Sequence, residues 1–222
     1  MVYCEPTEAA PAANTEEELQ FMEPIPLSLP ILMDGATGTE LQKRGMPAGA
    51  CTEQWALEHP EALLELQRAY VNAGATVLVT PTLGCNRGAL EPFGLDGQME
   101  DYNRRLVALT RQAAEGKALV AGDLGPTGKA IPPYGETPFE ELVDLYAQQA
   151  AVLLSAGVDL FLVESVMAMA EARAAVLGIR KAGGGEKPIL VTCYCDDEGR
   201  TPTGTDVLAC AIVMQGMGVT AF

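Results

Sequence analysis

The segment Ser155-Ala156-Gly157-Val158-Asp159-Leu160 joins the end of a helical pattern to a short apolar run typical of a buried strand. The same order of helix end, glycine turn and strand recurs at Asn72-Ala73-Gly74-Ala75-Thr76-Val77 and at Gln215-Gly216-Met217-Gly218-Val219-Thr220. Glycine at such a position adopts the left-handed backbone that ends many helices. Three copies of one helix-to-strand connection predict a repeated α/β architecture.

Six short apolar runs supply the predicted strands, and longer stretches with helical periodicity separate them. The runs are continuous rather than alternating, which is typical of a parallel sheet covered on both faces. They occupy residues 31–33, 76–79, 118–121, 160–163, 189–192 and 219–222. A doubly wound open sheet and an eight-stranded (βα)8 barrel both fit this pattern. No GxGxxG sequence follows the first run, which argues against a dinucleotide-binding Rossmann fold.

The composition excludes several classes of protein. The chain has 222 residues and a formal charge of −16, from 14 Lys and Arg against 30 Asp and Glu. Such a charge argues against nucleic-acid and membrane partners, because phosphate backbones and anionic lipids attract clustered Lys and Arg. No run approaches the roughly 18 apolar residues of a spanning helix. With no signal-peptide pattern and only six cysteines, the sequence predicts a cytoplasmic protein with reduced thiols.

Residues 1–30 differ from the rest of the chain. They contain six Glu, five Pro and no Lys or Arg. Sequence of this kind repels itself and is broken by proline, so it predicts a flexible acidic leader. The predicted folded unit is then residues 31–222.

The candidate site lies where the predicted strands end, because both architectures bind ligands at the carboxyl ends of their strands. Polar or glycine-rich sequence follows five of the six runs. Asp34 and Glu164 follow the first and fourth runs, and two acids at one opening suit the ammonium group of a ligand. Glycines beside them allow backbone N–H groups to approach a carboxylate. The alternative is a structural role for each residue, with Asp34 capping its turn and Glu164 an ordinary loop acid. The position of both residues at strand ends favours binding.

Other reactive residue types give weaker indications. His59 is the only histidine and precedes a proline at a helix start, so helix capping is predicted and a Ser-His-Asp triad is excluded. Cys193 and Cys195 would face one side of a strand with Cα atoms roughly 6.6 Å apart. Two zinc-bound sulfurs lie only about 3.8 Å apart, which favours buried thiols over a local zinc site.

The ordered motifs resemble the homocysteine S-methyltransferase domain, which cobalamin-dependent methionine synthase and betaine–homocysteine methyltransferase share. The resemblance covers about residues 31–222. The matching motifs are Asp34-Gly35-Ala36-Thr37-Gly38-Thr39, Glu58-His59-Pro60-Glu61, Thr80-Pro81-Thr82-Leu83-Gly84-Cys85-Asn86, Gly122-Asp123-Leu124-Gly125-Pro126-Thr127-Gly128, Ala156-Gly157-Val158-Asp159, Glu164-Ser165 and Asp197-Glu198-Gly199-Arg200.

This resemblance implies a (βα)8 barrel, incomplete here with about six βα units, that binds homocysteine. It implies that a zinc ion held by three cysteines activates the homocysteine thiol, and that methylcobalamin or another donor, on a donor domain or a small molecule, supplies the methyl group. The implied homocysteine-binding residues are Asp34, Gly35, Ala36, Thr80, Thr82, Asn86 and Glu164. Among them, Glu164 would hold the amino group.

Two departures from the family pattern affect these expectations. Ala168 stands where the family usually has Asp four residues after the glutamate. The first family zinc cysteine follows the sixth strand, and the other two form a later Cys-Cys pair, so none of the six cysteines matches one. We therefore expect this chain to be a truncated methyltransferase barrel with its zinc ligands beyond Phe222, and inactive by itself. The alternative is a non-catalytic binding or assembly module that self-associates through open barrel edges.

Overall fold

The computed structural model describes residues 30–222, so the predicted leader, apart from Pro30, lies outside the described residues. Four parallel strands form one sheet in the order β1-β2-β3-β4. They are β1 Val77–Val79, β2 Leu119–Leu124, β3 Leu160–Val166 and β4 Ile189–Cys193. Met33 joins the β1 side through a parallel bridge to Val77, and Ala221 joins the β4 side through a parallel bridge to Leu190. The six predicted runs therefore occupy six successive positions.

The strand order separates the two architectures that the sequence left open. A doubly wound sheet reverses its strand order at a switch point. In the described part of the chain each strand instead pairs with the next one in sequence, as in a barrel. The predicted α/β fold of (βα)8 type, incomplete here, is confirmed. Within residues 30–222, the first and last runs form single bridges rather than full strands.

Eight α-helices connect the strands in this region. They are α1 Gly38–Lys43, α2 Thr52–Glu58, α3 Pro60–Asn72, α4 Arg87–Leu90, α5 Met99–Ala114, α6 Phe139–Ser155, α7 Met169–Lys181 and α8 Val207–Gly216. The three quoted turns have the expected backbone, with positive φ at Gly74, Gly157 and Gly218. None of these helices combines the length and the apolar composition that crossing a bilayer requires.

Alternate strand residues pack into two different cores. Leu78, Val120 and Phe161 point outward and pack in a buried cluster with residues of α5, α6 and α7. The residues between them point inward and form a separate cluster of Val77, Ala121, Leu160, Leu162 and Leu190. Successive side chains of a strand face opposite sides. A polar residue two positions beyond an inward apolar residue therefore lies at the carboxyl opening of the inner face.

His59 does not cap α3 with its side chain, contrary to the prediction. Its backbone precedes Pro60, the first residue of α3, but its ring lies back over α2. There Nδ1 is 3.0 Å from the Trp55 carbonyl oxygen, and the ring stacks on Trp55 at a centroid distance of 4.2 Å. The ring packs against the buried indole rather than pointing toward the free N–H groups of α3.

Candidate functional site

A cavity of about 360 Å³ lies at the carboxyl ends of the strands. Five of the seven predicted site residues line it together: Asp34, Gly35, Ala36, Thr80 and Glu164. The remaining lining residues are Met33, Thr37, Gly38, Thr52, Glu53, Val79, Pro81, Leu83, Asp123, Leu162 and Thr192. Segments far apart in the sequence thus meet in one concave site, as the barrel topology requires.

Asp34 is fixed by hydrogen bonds to β1. Its backbone N–H donates to the Val77 carbonyl over 3.0 Å, and its Oδ2 accepts the Val79 N–H over 3.1 Å. Burial raises the pKa of Asp34 to about 7, the Val79 hydrogen bond opposes this shift, and the nearby charge of Glu164 adds to it. The Asp34 carboxyl therefore changes its charge near neutral pH.

The turn after Asp34 is held by Tyr70 of α3. The Tyr70 hydroxyl donates to the Ala36 carbonyl over 2.8 Å. A Cβ placed on Gly35 would lie 3.0 Å from the Tyr70 ring and hydroxyl. Glycine at position 35 thus lets the turn pass against the tyrosine, and it leaves the backbone of residues 35–37 at the cavity surface.

An irregularity in β3 orients the side chain of Glu164 toward the cavity. The register of β3 with β4 shifts between Val163 and Val166, as in a β-bulge. Ser165 has a left-handed backbone with φ of 58°, and its N–H donates to Thr192 Oγ1 over 3.0 Å. A bulge re-aims side chains and is frequent beside binding sites. Glu164 remains half-buried and faces the cavity two residues beyond the inward-pointing Leu162.

Two acidic residues of the cavity were not among the predicted site residues. Asp123 lies within β2, two residues after the inward-pointing Ala121, and is 2% exposed. Glu53 of α2 is buried, with Oε1 accepting the Gly84 N–H over 2.9 Å and Oε2 accepting the Cys51 thiol over 3.2 Å. Successive side chains of a strand face opposite sides, so the position of Asp123 two residues after Ala121 could have placed it on the inner face of β2 from the sequence. No local signal in the sequence marks Glu53.

Thr82 and Asn86 do not line the cavity, contrary to the expectation for these two residues. Both are fully buried. Thr82 Oγ1 donates to the Asp123 carbonyl over 2.8 Å and is 2.7 Å from Thr80 Oγ1. Asn86 Oδ1 accepts the Ala89 N–H over 2.9 Å and caps α4. Their polar groups are already used to hold the loop that follows β1.

The described cysteines do not form a zinc centre. No group of three His, Cys, Asp or Glu residues within 30–222 is arranged to hold a metal ion. Cys193 is half-buried at the end of β4, and burial raises the pKa of its thiol. Cys195 lies past the strand and is exposed, so its predicted burial is wrong. β4 ends at Cys193, and the chain then leaves the sheet.

The charge of the cavity favours a cationic group. Four acids line it, namely Asp34, Glu53, Asp123 and Glu164, and no Lys, Arg or His does so among the residues described. Burial, followed by the charge of Glu164 and a hydrogen bond with it, raises the pKa of Asp123 well above its ordinary value. In such surroundings a ligand ammonium group gains favourable interactions with carboxylates that water screens poorly.

The fold and the cavity define a barrel-type α/β protein with an acidic cavity at the carboxyl ends of its strands. The family model described as homocysteine S-methyltransferase matches residues 31–222. The chain belongs to this family. The sequence resemblance is therefore confirmed over nearly all of the described chain.

Individual relatives agree with this assignment. A methionine synthase of Mycobacterium leprae is 30% identical over 203 residues, covering 84% of this chain and 17% of the relative. Betaine–homocysteine S-methyltransferase 1 of Rattus norvegicus is 32% identical over 198 residues, covering 86% of this chain and 47% of the relative. The match thus spans less than half of either relative.

A solved structure supports the fold. The metallated form of the homocysteine methyltransferase MmuM from Escherichia coli superposes with a TM-score of 0.73 at 25% identity. The match covers 84% of this chain and 71% of that chain.

Proposed function

We propose that this chain is the homocysteine-binding part of a homocysteine S-methyltransferase, which transfers a methyl group to the homocysteine thiol to form methionine. The observation that carries the proposal is the acidic cavity, which Asp34 and Glu164 both line at the carboxyl ends of the strands, close enough for the charge of Glu164 to raise the pKa of Asp34. Their carboxylates would hold the amino group of the substrate. The family membership of the chain supports this choice of amino acid.

The other binding roles follow from the same geometry. The exposed turn of Gly35 and Ala36 would present backbone N–H groups to the substrate carboxylate, since no lining residue in the described part of the chain offers a basic side chain for it. Thr80 holds the cavity wall, because its Oγ1 accepts the Asp123 N–H over 3.1 Å. Thr82 and Asn86 would act indirectly, by fixing the loop after β1. The substrate would be positioned by its amino-acid end, with the thiol directed away from the acids.

Thiol activation is not assigned to residues of this chain. The donor groups in the described part do not form the three-cysteine set that the family resemblance implies for zinc. We therefore propose that this polypeptide by itself binds homocysteine without methylating it. The methyl donor, methylcobalamin or a small methylated compound, would reach the cavity with a donor domain or from solution.

Calorimetric titration with L-homocysteine tests the binding proposal. Glu164→Gln removes the charge but retains the shape, so we expect the affinity to fall by roughly 10- to 100-fold, the cost of losing a charged hydrogen bond. Glu140→Gln is the matched control, because Glu140 is exposed on α6 and outside the cavity. Equal affinities of the wild type and Glu164→Gln would contradict the proposal.

Elemental analysis and a methylation assay test the proposed lack of catalysis. Chain dialysed against metal-free buffer should retain far less than one zinc per molecule. It should also form no methionine from homocysteine with methylcobalamin, betaine or S-methylmethionine. One tightly held zinc per chain, or methionine formation, would contradict this part of the proposal and assign thiol activation to residues of this polypeptide.

An assembly module is the second candidate function, and one observation favours it. Leu208 and Ile212 on α8 are 67% and 62% exposed, beside the sheet edge formed by Ala221. An exposed apolar helix face next to a sheet edge that has no further partner within residues 30–222 is suited to covering by another protein surface. We take a second copy of the chain as the occupant of this face.

A further inference from the structure

The polar contacts of Asp123 leave one of its carboxyl oxygens unexplained. The Asp123 N–H donates to Thr80 Oγ1 over 3.1 Å, and its carbonyl accepts Thr82 Oγ1 over 2.8 Å. Its side chain is 2% exposed and lines the cavity, yet Oδ1 has no hydrogen-bond partner among the residues described. A buried polar atom without a partner costs free energy, so the unpaired Oδ1 of this cavity-lining residue indicates a proton or a ligand beside the carboxyl group.

The neighbouring polar group is itself an acid. Asp123 and Glu164 lie on adjacent parallel strands, with Asp123 in register with Leu162 and Glu164 two residues further. The two carboxyl groups line the same cavity, and a hydrogen bond with Glu164 is one cause of the raised pKa of Asp123. Two carboxylates are both acceptors, so only a proton between them can join them. Asp34 and Glu53 face the same space and add negative charge, and no basic side chain of the described chain lines it.

We propose that Asp123 is a further ligand-binding residue, which shares one proton with Glu164 in the free protein and releases it when a ligand ammonium group enters. The inference rests on the proposed function for the identity of that ligand, an α-amino acid. Before binding, the pair carries one proton and one negative charge. After binding, both carboxylates contact the ammonium group, which keeps its three protons, and the shared proton passes to solvent. Ligand affinity is thereby coupled to pH.

Infrared difference spectroscopy tests the shared proton directly. At pH 8, above the pKa of about 7 for Asp34, an ordinary carboxyl is ionised and shows no protonated C=O band. We expect the wild type and Asp34→Asn to show the C=O band of a protonated carboxyl at this pH, and Asp123→Asn to lack it. Asp123→Ser is the second variant if the amide does not fold. Absence of the band from folded wild type, or its persistence in both Asp123 variants, overturns the inference.

Ligand addition tests the displacement. L-Methionine is the first probe because it has the ammonium group but no titrating thiol, and methylammonium is the second because it lacks the carboxylate. We expect methionine to remove the band, and titrations in buffers of different ionisation enthalpy to count up to about one more proton released by wild type than by Asp123→Asn. Glu140→Gln should behave as wild type.

The outcomes separate this inference from the proposed function. If methylammonium removes the band but methionine and homocysteine do not bind, the proposed function fails and the role of Asp123 in cation binding stands. If the amino acids bind while the band remains, the proposed function stands and this inference fails. If no probe removes the band, the inference also fails.

Discussion

Asp34 and Asp123 are acids that the fold holds in a cavity with no basic side chain among the residues of 30–222 that line it. In both residues burial is the main cause of the raised pKa, and the charge of Glu164 adds to it. A protein gains no stability from such an arrangement, because a buried carboxylate without a cation is costly. Groups whose pKa values are displaced in this way concentrate at functional sites. On the proposed function, binding of the substrate ammonium group would offset this cost.

The Asp34 carboxyl predicts a specific pH dependence of stability. Its pKa is about 7 in the folded protein and 3.8 ordinarily, so the folded state binds more protons between these values. Stability is therefore lost as pH rises from about 4 toward 7. Asp34→Asn retains an acceptor for the Val79 N–H but cannot ionise. Its free energy of unfolding should fall less over this range, by at most about 1.4 kcal/mol per pH unit.

Urea denaturation at successive pH values measures this difference. Asp101→Asn is the control, since Asp101 is an exposed residue of α5 whose ion pair with Arg105 lies at the surface. Its stability profile should stay close to that of the wild type. A profile of Asp34→Asn that parallels the wild type would show that Asp34 titrates as an ordinary surface carboxyl.

Among the elements, the α6–α7 pair is the one whose spacing depends most clearly on a single residue. A Cβ on Gly178 of α7 would lie 2.6 Å from Tyr146 Cβ and 2.8 Å from the Ala147 nitrogen, both in α6. The close approach keeps Tyr146 fully buried, with its hydroxyl oxygen 3.1 Å from both the Gly125 carbonyl oxygen and Glu171 Oε1, so its one proton is shared between these acceptors. The helix contact thus also holds the loop that follows β2.

Gly178→Ala should destabilise the protein although alanine favours helices. The helix-propensity gain is up to about 1 kcal/mol, but the new methyl group meets backbone atoms of α6 that cannot move aside locally. Overpacking of this kind costs about 1–3 kcal/mol, so we expect a net loss of stability in urea denaturation.

Gly216→Ala provides the opposite case with the same substitution. Gly216 is the last residue of α8, and an added Cβ would meet nothing within 4 Å. Its stability should stay equal to the wild type or rise by up to about 1 kcal/mol. Equal effects of the two substitutions would mean that α6 and α7 are less closely packed than described.

At the scale of the whole molecule, the continuous apolar runs predicted the six strand positions and their parallel arrangement, and the repeated helix–glycine–strand connection predicted the α/β architecture. Local sequence did not predict how far a strand continues. The third run was expected to end at Ala121, but pairing with β3 extends β2 to Leu124 and brings Asp123 inside it. Glu53 reaches the cavity through tertiary packing of α2 on the loop at Gly84, which no local pattern encodes.

The exposed face of α8 leads to the last prediction, which concerns the association of whole chains. α8 is apolar around most of its circumference: Cys210 and Met214 are buried, whereas Leu208 and Ile212 are exposed. A helix apolar on all sides is typical of one covered on both faces.

We expect concentration-dependent dimers in sedimentation velocity, and stronger association at high salt, because salt screens the repulsion between chains of charge −16. Leu208→Lys and Ile212→Lys should shift the chain to monomer, whereas Phe93→Lys, at a half-exposed site away from α8, should not. A wild type that stays monomeric at every concentration and salt would contradict the assembly function and leave homocysteine binding as the proposed role.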